Sequence, residues 1–160
     1  MFDKYLIRKD SLQNVYDSFG NAVGFKIAVR NSNYRGTFVS LHNGYYIVVD
    51  GFQYHRTKQR FEINGVPPRD FNEIKNAGYE HWDFDDEGWL YVEKDGGLAP
   101  GMHTILFKQS IFAAYGYFVG CEDYLIDIEP GPETRHYLVM DKTFYPVEYS
   151  LELQDKKEGR

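Results

Sequence analysis

Short apolar segments separated by turn residues recur along the chain at intervals of about 8–12 residues, a spacing typical of β-sandwiches and β-barrels. In segment 23–29 every second side chain is apolar, which predicts a strand with one buried face. Segment 45–49 is apolar at every position and is therefore predicted to lie in the middle of a sheet. We predict an all-β fold, a jelly-roll-like antiparallel β-sandwich, with one short helix.

Further strands are predicted from the same pattern. They cover residues 5–7, 37–41, 52–56, 60–63, 81–84, 89–93, 104–108, 111–115, 124–128, 137–140 and 147–151. The dipeptides Asp50-Gly51 and Asn64-Gly65 predict tight turns, because both positions of such a turn require a positive φ. Pro67-Pro68 is predicted to stop further ladder pairing after the second turn.

One segment, 70–78, has a helical pattern. Asp70 and Glu73 have the spacing of a capping box, and Gly78 supplies a left-handed stop. A helix of about two turns is stable only when it packs against the sheet. Because no linker or repeat interrupts the pattern, we predict one domain over 1–152 and a polar tail over 153–160.

Composition narrows the classes of function. The 160 residues contain 18 basic and 24 acidic side chains, and a net charge of −6 argues against binding to a nucleic-acid backbone. No apolar run is long enough to span a membrane, and charged residues interrupt the first ten positions where an export signal would lie. The single cysteine, Cys121, excludes an internal disulfide. We therefore expect a cytoplasmic protein.

The sequence offers no recognisable catalytic set. The five histidines include no pair at the spacing of a helical metalloprotease motif or a His-x-His strand motif. These are His42, His55, His81, His103 and His136. A cupin-type metalloenzyme is therefore the least favoured alternative. We expect no cofactor or metal to be bound by this chain.

Aromatic residues are unusually frequent, with 14 Tyr, 12 Phe and 2 Trp. We do not expect the core alone to use all of these rings, so we expect an aromatic patch on a sheet that binds a ligand or a subunit. One function consistent with this patch is a stand-alone carbohydrate-binding module that uses Trp82 or Trp89.

Three stretches of sequence, taken in order, resemble a known family. The first is Phe2-Asp3-Lys4-Tyr5 with residues 10–15, and the second is Tyr34-Arg35-Gly36 followed by Val49-Asp50-Gly51. The third runs from Trp82-Asp83-Phe84 through residues 96–101 to His103. Over residues 2–118 they resemble the β subunit of bacterial C-glycoside deglycosidases.

The resemblance implies a β-sandwich subunit of a carbon–carbon lyase that is not active alone. Its partner would be a TIM-barrel α subunit, similar to sugar isomerases, that carries a divalent metal, Mn²⁺, and the catalytic residues. The complex, a higher-order αβ oligomer, would cleave the bond between a 3-oxo-sugar and an aromatic, typically flavonoid, aglycone. A 3-ketone makes the C2 proton acidic, a metal stabilises the enolate, and a base removes the proton.

The resemblance also suggests which loops meet the partner or form the lip of its active site. These are Tyr34-Arg35-Gly36 and the segment around His81-Trp82. The planar fork of Arg35 suits a carboxylate across an interface. The alternatives are a strand-end salt bridge for Arg35 and a place in the core for Trp82. The loop 97–101 is either a hairpin connection or a partner contact.

Overall fold

A computed structural model of the chain describes residues 6–30, 37–74, 76–78, 80–83, 85–111, 125–127, 136–138 and 147–154. The strands are β1 (Gln13–Tyr16), β2 (Ala22–Arg30), β3 (Thr37–Phe38), β4 (His42–Val49), β5 (Phe52–Gln53), β6 (Gln59–Ile63), β7 (Val66–Asp70), β8 (His81–Trp82), β9 (Glu87–Glu93), β10 (Met102–Ile111), β11 (Leu125–Asp127), β12 (His136–Leu138) and β13 (Val147–Glu152). One α-helix, α1 (Phe71–Ile74), follows β7, and short 3₁₀ turns lie at Val39–Leu41 and Arg56–Lys58.

Two antiparallel sheets form the body of the protein. The larger sheet has the order β1-β2-β9-β6-β7, and the smaller has the order β13-β10-β4-β5. Two further pairs, β3 with β8 and β11 with β12, form short two-stranded ladders. The predicted all-β sandwich is confirmed, and β4 lies inside its sheet between β10 and β5, as its apolar sequence predicts.

The core lies between the inner faces of the two sheets. The larger sheet contributes Phe25, Ile27, Phe61, Leu90 and Val92, and the smaller contributes Tyr45, Ile47, Ile105, Phe107 and Leu151. Gly88 in β9 makes room for one of these rings, because a Cβ built there would lie 2.2 Å from Cζ of Phe61. Among the described residues, no helix is both long enough and apolar enough to cross a membrane.

Both predicted hairpin turns are confirmed. The turn between β4 and β5 has φ values of 51° at Asp50 and 87° at Gly51. The turn between β6 and β7 has values of 58° at Asn64 and 75° at Gly65. Positive φ at both central positions matches the right-handed twist of the flanking strands, which explains these two dipeptides.

The prediction that Pro67-Pro68 ends ladder pairing is wrong. Both prolines lie within β7, which pairs with β6 through contacts such as Phe61 with Arg69. β7 is at the edge of the larger sheet, and no strand of the described ranges pairs with its other side. A residue without an N–H is tolerated at such an edge.

The predicted helix is present but shorter than its pattern: of the residues described between 70 and 78, those from Phe71 to Ile74 are helical. Its capping box is confirmed: the N–H of Glu73 donates to Oδ1 of Asp70 at 2.8 Å, and the N–H of Asp70 donates to Oε1 of Glu73 at 3.0 Å. Phe71 and Ile74 are buried. Gly78, the predicted stop, has a φ of 62°.

The C-terminal strand β13 belongs to the sandwich. It pairs with β10 from Met102–Glu152 to Phe107–Val147, and it buries Tyr149 and Leu151 in the core. Backbone hydrogen bonds continue past β13, from Leu153 to Gly101 at 3.0 Å and from Gln154 to Leu12 at 2.7 Å. Contacts with the sandwich therefore extend two residues into the segment predicted as a tail.

Candidate functional site

The structure describes only some of the residues predicted to form the partner contact or active-site lip. Tyr34, Arg35 and Gly36 lie outside the described residues. His81 is exposed in β8, and its Nδ1 contacts the carboxylate of Asp83. The assignment of these positions to an interface stays a prediction.

Trp82 follows His81 in β8 but is fully buried. Its ring lies 5.1 Å from Phe61 and 4.9 Å from His42, and its Nε1 donates to the carbonyl of Asp86 at 2.9 Å. This places the side chain in the core, the alternative that the sequence left open. A role in binding would require Trp82 to act by supporting its exposed neighbour, because the ring itself does not reach the surface.

Residues from all three resembling stretches meet at the loop of residues 96–101, here called the glycine loop. Nδ1 of His103 lies 2.6 Å from Oδ2 of Asp50, and Nε2 of His103 lies 2.7 Å from the carbonyl of Ala99. The carbonyl only accepts, and so does an ionised carboxylate, so both contacts are hydrogen bonds only when both ring nitrogens carry hydrogen. The backbone N–H of Thr104 donates to Oδ1 of Asp50 at 2.9 Å.

Asn14 holds the other side of the glycine loop. Its Nδ2 donates to the carbonyl of Leu98 at 2.9 Å, and its Oδ1 accepts from the N–H of Leu98 at 2.8 Å. A Cβ at Gly97, where φ is 64°, would lie 2.7 Å from the same Oδ1. Asn14, Asp50 and His103, here called the loop anchors, thus fix the glycine loop between β1 and the β4–β5 turn.

The fixed loop forms one wall of a cleft of about 600 Å³, here called the hairpin cleft. The opposite wall is the β4–β5 hairpin. The residues that line the cleft include Phe52, Tyr54, Lys58, Glu93, Lys94 and Leu98. Pockets for small ligands usually measure about 300–1,000 Å³, so the cleft has the size of a binding site.

Aromatic rings form the hairpin side of the cleft. Phe52 is 64% exposed, and its ring centroid lies 4.9 Å from that of Tyr54. Tyr54 is itself buried and packs edge-on against the core residue Phe25 at 5.4 Å. The core therefore holds Tyr54 in place, and Tyr54 in turn supports an exposed ring at the surface.

Some of the charged side chains around the hairpin cleft have a hydrogen-bonding or oppositely charged partner among the described residues, and others do not. The hydrogen bonds from His103 and from the Thr104 N–H hold the pKa of Asp50 below its usual value. Glu93 lies 3.7 Å from the ammonium of Lys58. Lys94 is half-buried, and none of the described carboxylates forms an ion pair with it. Within the described part of the chain, the ammonium of Lys94 in this cleft thus has no carboxylate partner, in a protein of net charge −6.

A second aromatic surface covers the outer face of the larger sheet, where Trp89 and Tyr91 lie on β9. The ammonium of Lys26 lies 4.6 Å from the Trp89 ring centre and 5.3 Å from that of Tyr91, and the Arg8 guanidinium lies 5.6 Å from Trp89. Burial and a hydrogen bond to Glu62 raise the pKa of Tyr91. Because the chain's own cations lie over these rings, a sugar can stack there only by displacing them.

No three His, Cys, Asp or Glu side chains within the described ranges lie close enough together to hold a metal ion. Sequence reasoning identified the stretches containing the loop anchors but missed the cleft residues Phe52 and Lys94. An apolar residue directly after a two-residue turn, as at Phe52, is the local signal that was available. Its closeness to Lys94 depends on packing between distant elements.

Comparisons with known proteins agree with the resemblance seen in the sequence. The model of a family described as C-glycoside deglycosidase beta subunit matches residues 2–115, which include β1 to β10. The C-glycoside deglycosidase beta subunit of Eubacterium cellulosolvens is 26% identical over 113 residues, which cover 71% of this chain and 76% of that protein. The matched region contains all of the loop anchors.

Proposed function

The chain belongs to the C-glycoside deglycosidase beta subunit family, and on that premise we propose that it is the non-catalytic subunit of a cytoplasmic carbon–carbon lyase. The complex cleaves the bond between a 3-oxo-sugar and an aromatic, flavonoid-type aglycone. Its α subunit is a TIM-barrel protein similar to sugar isomerases, and several αβ units assemble together.

The reaction needs groups that this chain is not proposed to supply. A carbon–carbon glycosidic bond has no bridging oxygen to protonate, so a hydrolytic route is not open. The ketone at C3 instead makes the C2 proton acidic, a base removes it, and the aglycone leaves from C1 as its ring carbon is protonated. A divalent metal in the α subunit, Mn²⁺, would stabilise the enolate.

The arrangement of the loop anchors is the observation that carries the proposal. The family's stretches converge here, yet Asn14, Asp50 and His103 use their polar groups on neighbouring backbone or on one another. Groups engaged in this way hold a loop rigid and are not free to transfer protons to a substrate. This arrangement supports a subunit that shapes and closes a surface around the partner's active site.

Coexpression with a TIM-barrel protein similar to sugar isomerases, the proposed α subunit, tests the proposal. We expect the two proteins to elute as one complex from a sizing column. The complex should release free aglycone from a 3-oxo C-glucoside, whereas this chain alone should release none. Separate elution of the two proteins, or cleavage by the purified chain alone, would contradict the proposal.

The carbohydrate-binding alternative can be tested on the chain alone. It predicts saturable sugar binding that is lost in Trp89→Ala and strengthened in Lys26→Ala, since the second change uncovers both rings of β9. We expect no binding in either variant. Calorimetric titration with glucose and cellobiose measures the difference.

A further inference from the structure

We infer that the hairpin cleft binds a planar aromatic molecule that carries an anionic oxygen, either a phenolate or a carboxylate. The inference stands on the shape and charge of the cleft and goes beyond the proposed function, which does not assign a ligand to this subunit.

The dimensions of the cleft favour a ligand with fused or linked rings. A volume of about 600 Å³ exceeds what one amino-acid side chain fills and lies within the range of ligand pockets. Leu98, which is 6% exposed, provides an apolar wall. Because the loop anchors fix the backbone around Leu98, this wall is present before a ligand arrives, which lowers the entropic cost of binding.

The aromatic side of the cleft favours a ring system. Phe52 leaves most of its surface in water, although burial of a phenylalanine side chain is favourable in free energy. A flat ligand that packs on Phe52 would recover part of this free energy. Phe52 and Tyr54 meet at an interplanar angle of 55°, so their rings form an angled ledge on which a ligand lies.

The ammonium of Lys94, which has no carboxylate partner among the described residues, favours a ligand with negative charge. Both carboxylates that line the cleft already have a partner: Asp50 contacts a ring nitrogen of His103, and Glu93 contacts the ammonium of Lys58. Lys94 is left to pair with an incoming anion, and its half-buried position reduces the screening that weakens fully exposed pairs. Burial and the Asp50 charge raise the pKa of Tyr54, so its hydroxyl stays protonated at neutral pH.

Three matched probes separate ring stacking from charge. They are 2-naphthoate, its neutral analogue 2-naphthylmethanol, and cyclohexanecarboxylate, which has the charge but no aromatic ring. We expect saturable binding of 2-naphthoate, measured by calorimetric titration at low ionic strength, and at least fivefold weaker binding of each analogue. Equal affinity for 2-naphthoate and the neutral analogue would overturn the inference, as would the absence of saturable binding.

Matched variants locate the bound probe. Lys94→Met should weaken 2-naphthoate binding about fivefold, and Phe52→Ala should do so about fivefold to tenfold. The controls are Lys9→Met, at an exposed lysine, and Phe19→Ala, at a ring that is 87% exposed on another turn. Both controls should bind like the unchanged chain, and an equal loss in a control and its matched variant would overturn the location.

The competing hypothesis is that a segment of the partner subunit occupies the cleft. The same titration on the chain bound to its partner subunit tests this hypothesis. We expect 2-naphthoate to bind the complex as it binds the free chain. Loss of binding on assembly would show that the cleft is an interface, and it would overturn the inference while leaving the proposed function intact. If the complex released no aglycone in the lyase assay but still bound 2-naphthoate, the proposed function would be contradicted and this inference would stand.

Discussion

His42 is a histidine in a wholly aromatic environment. It is fully buried, and its ring lies 4.5–5.0 Å from those of Tyr45, Phe61, Phe71 and Trp82. Neither ring nitrogen has a hydrogen-bond partner within the part of the chain that the structure describes. Burial lowers the pKa of His42 from 6.5 to about 3. Protonation of His42 would therefore place a charge in an apolar part of the core.

The pH dependence of stability follows from that shift. Between pH 6.5 and about 3 the unfolded chain binds a proton at His42 that the folded chain does not, so stability falls as pH falls. The loss is at most about 1.4 kcal/mol per pH unit in this window. Lowering the pH from 7.5 to 5 should reduce the free energy of unfolding of both the unchanged chain and His42→Leu. Because leucine cannot be protonated, the reduction should be about 2 kcal/mol smaller in the variant.

Urea unfolding at the two pH values measures this difference. The lowered pKa values of Asp50 and Glu80 affect stability at lower pH, because their usual values are 3.8 and 4.5. An equal loss of stability in His42→Leu and in the unchanged chain would show that another group dominates acid unfolding.

His103 permits a second prediction at the residue scale. His103→Gln cannot reproduce both the contact with Asp50 and the contact with Ala99, and it leaves the partly exposed carboxylate of Asp50 without its ring-nitrogen partner. We expect a loss of about 1–3 kcal/mol in the free energy of unfolding, discounted for solvent screening at Asp50. His81→Gln, at an exposed histidine, should change it by less than about 0.5 kcal/mol. Equal effects of the two substitutions would contradict an anchoring role for His103.

At the scale of elements, close packing at β9 requires glycine at two positions, Gly88 in β9 itself and Gly24 in the neighbouring β2. A Cβ at Gly88 would meet the side chain of Phe61, whereas a Cβ at Gly24 in the neighbouring β2 would lie 2.2 Å from the backbone oxygen of Val92. We expect Gly88→Ala to destabilise the protein by about 1–3 kcal/mol through overpacking. Gly24→Ala should cost at least as much, because backbone moves less readily than a side chain.

A double-mutant cycle distinguishes the two clashes. Phe61→Leu removes the ring atoms that the new methyl group of Gly88→Ala would meet, so part of the loss should be recovered in the double variant. No recovery is expected when Phe61→Leu is combined with Gly24→Ala. Denaturant unfolding of the single and double variants provides the measurement, and equal coupling in both pairs would contradict this account of the packing.

The elements that the sequence predicts best are those whose chemistry is local. Positive φ at Asp50-Gly51 and the capping box of Asp70 and Glu73 involve only neighbouring residues, and both are confirmed. The strand through Pro67-Pro68 was missed because its tolerance of proline depends on its place at a sheet edge. The hairpin cleft was missed for a similar reason, since Phe52 and Lys94 line the same cleft only once elements distant in sequence have packed together.

At the scale of the whole molecule, the sandwich extends beyond the region that matches the family. The match ends at residue 115, yet β13 closes one side of the smaller sheet. A chain ending at residue 118 would lose the buried side chains of Tyr149 and Leu151 and expose the edge of β10. We expect this truncation to aggregate or to lose its cooperative thermal transition.

A chain ending at residue 154 is the matched control. It keeps β13 and the hydrogen bonds of Leu153 and Gln154 to Gly101 and Leu12, so its melting temperature should equal that of the full chain. Sizing chromatography and circular dichroism compare the two truncations. A monomeric 118-residue chain with an unchanged melting temperature would show that β13 is dispensable.

The position of β13 also has a consequence for synthesis on the ribosome. Residues 112–146 separate it from β10, the strand with which it pairs. At about 5–20 residues per second, this stretch takes roughly 2–7 s to translate. During that interval the nascent chain holds every described strand of the larger sheet but lacks the strand that pairs with β10 in the smaller one. Chaperone binding to the emerging polypeptide should therefore last until the final strand leaves the exit tunnel.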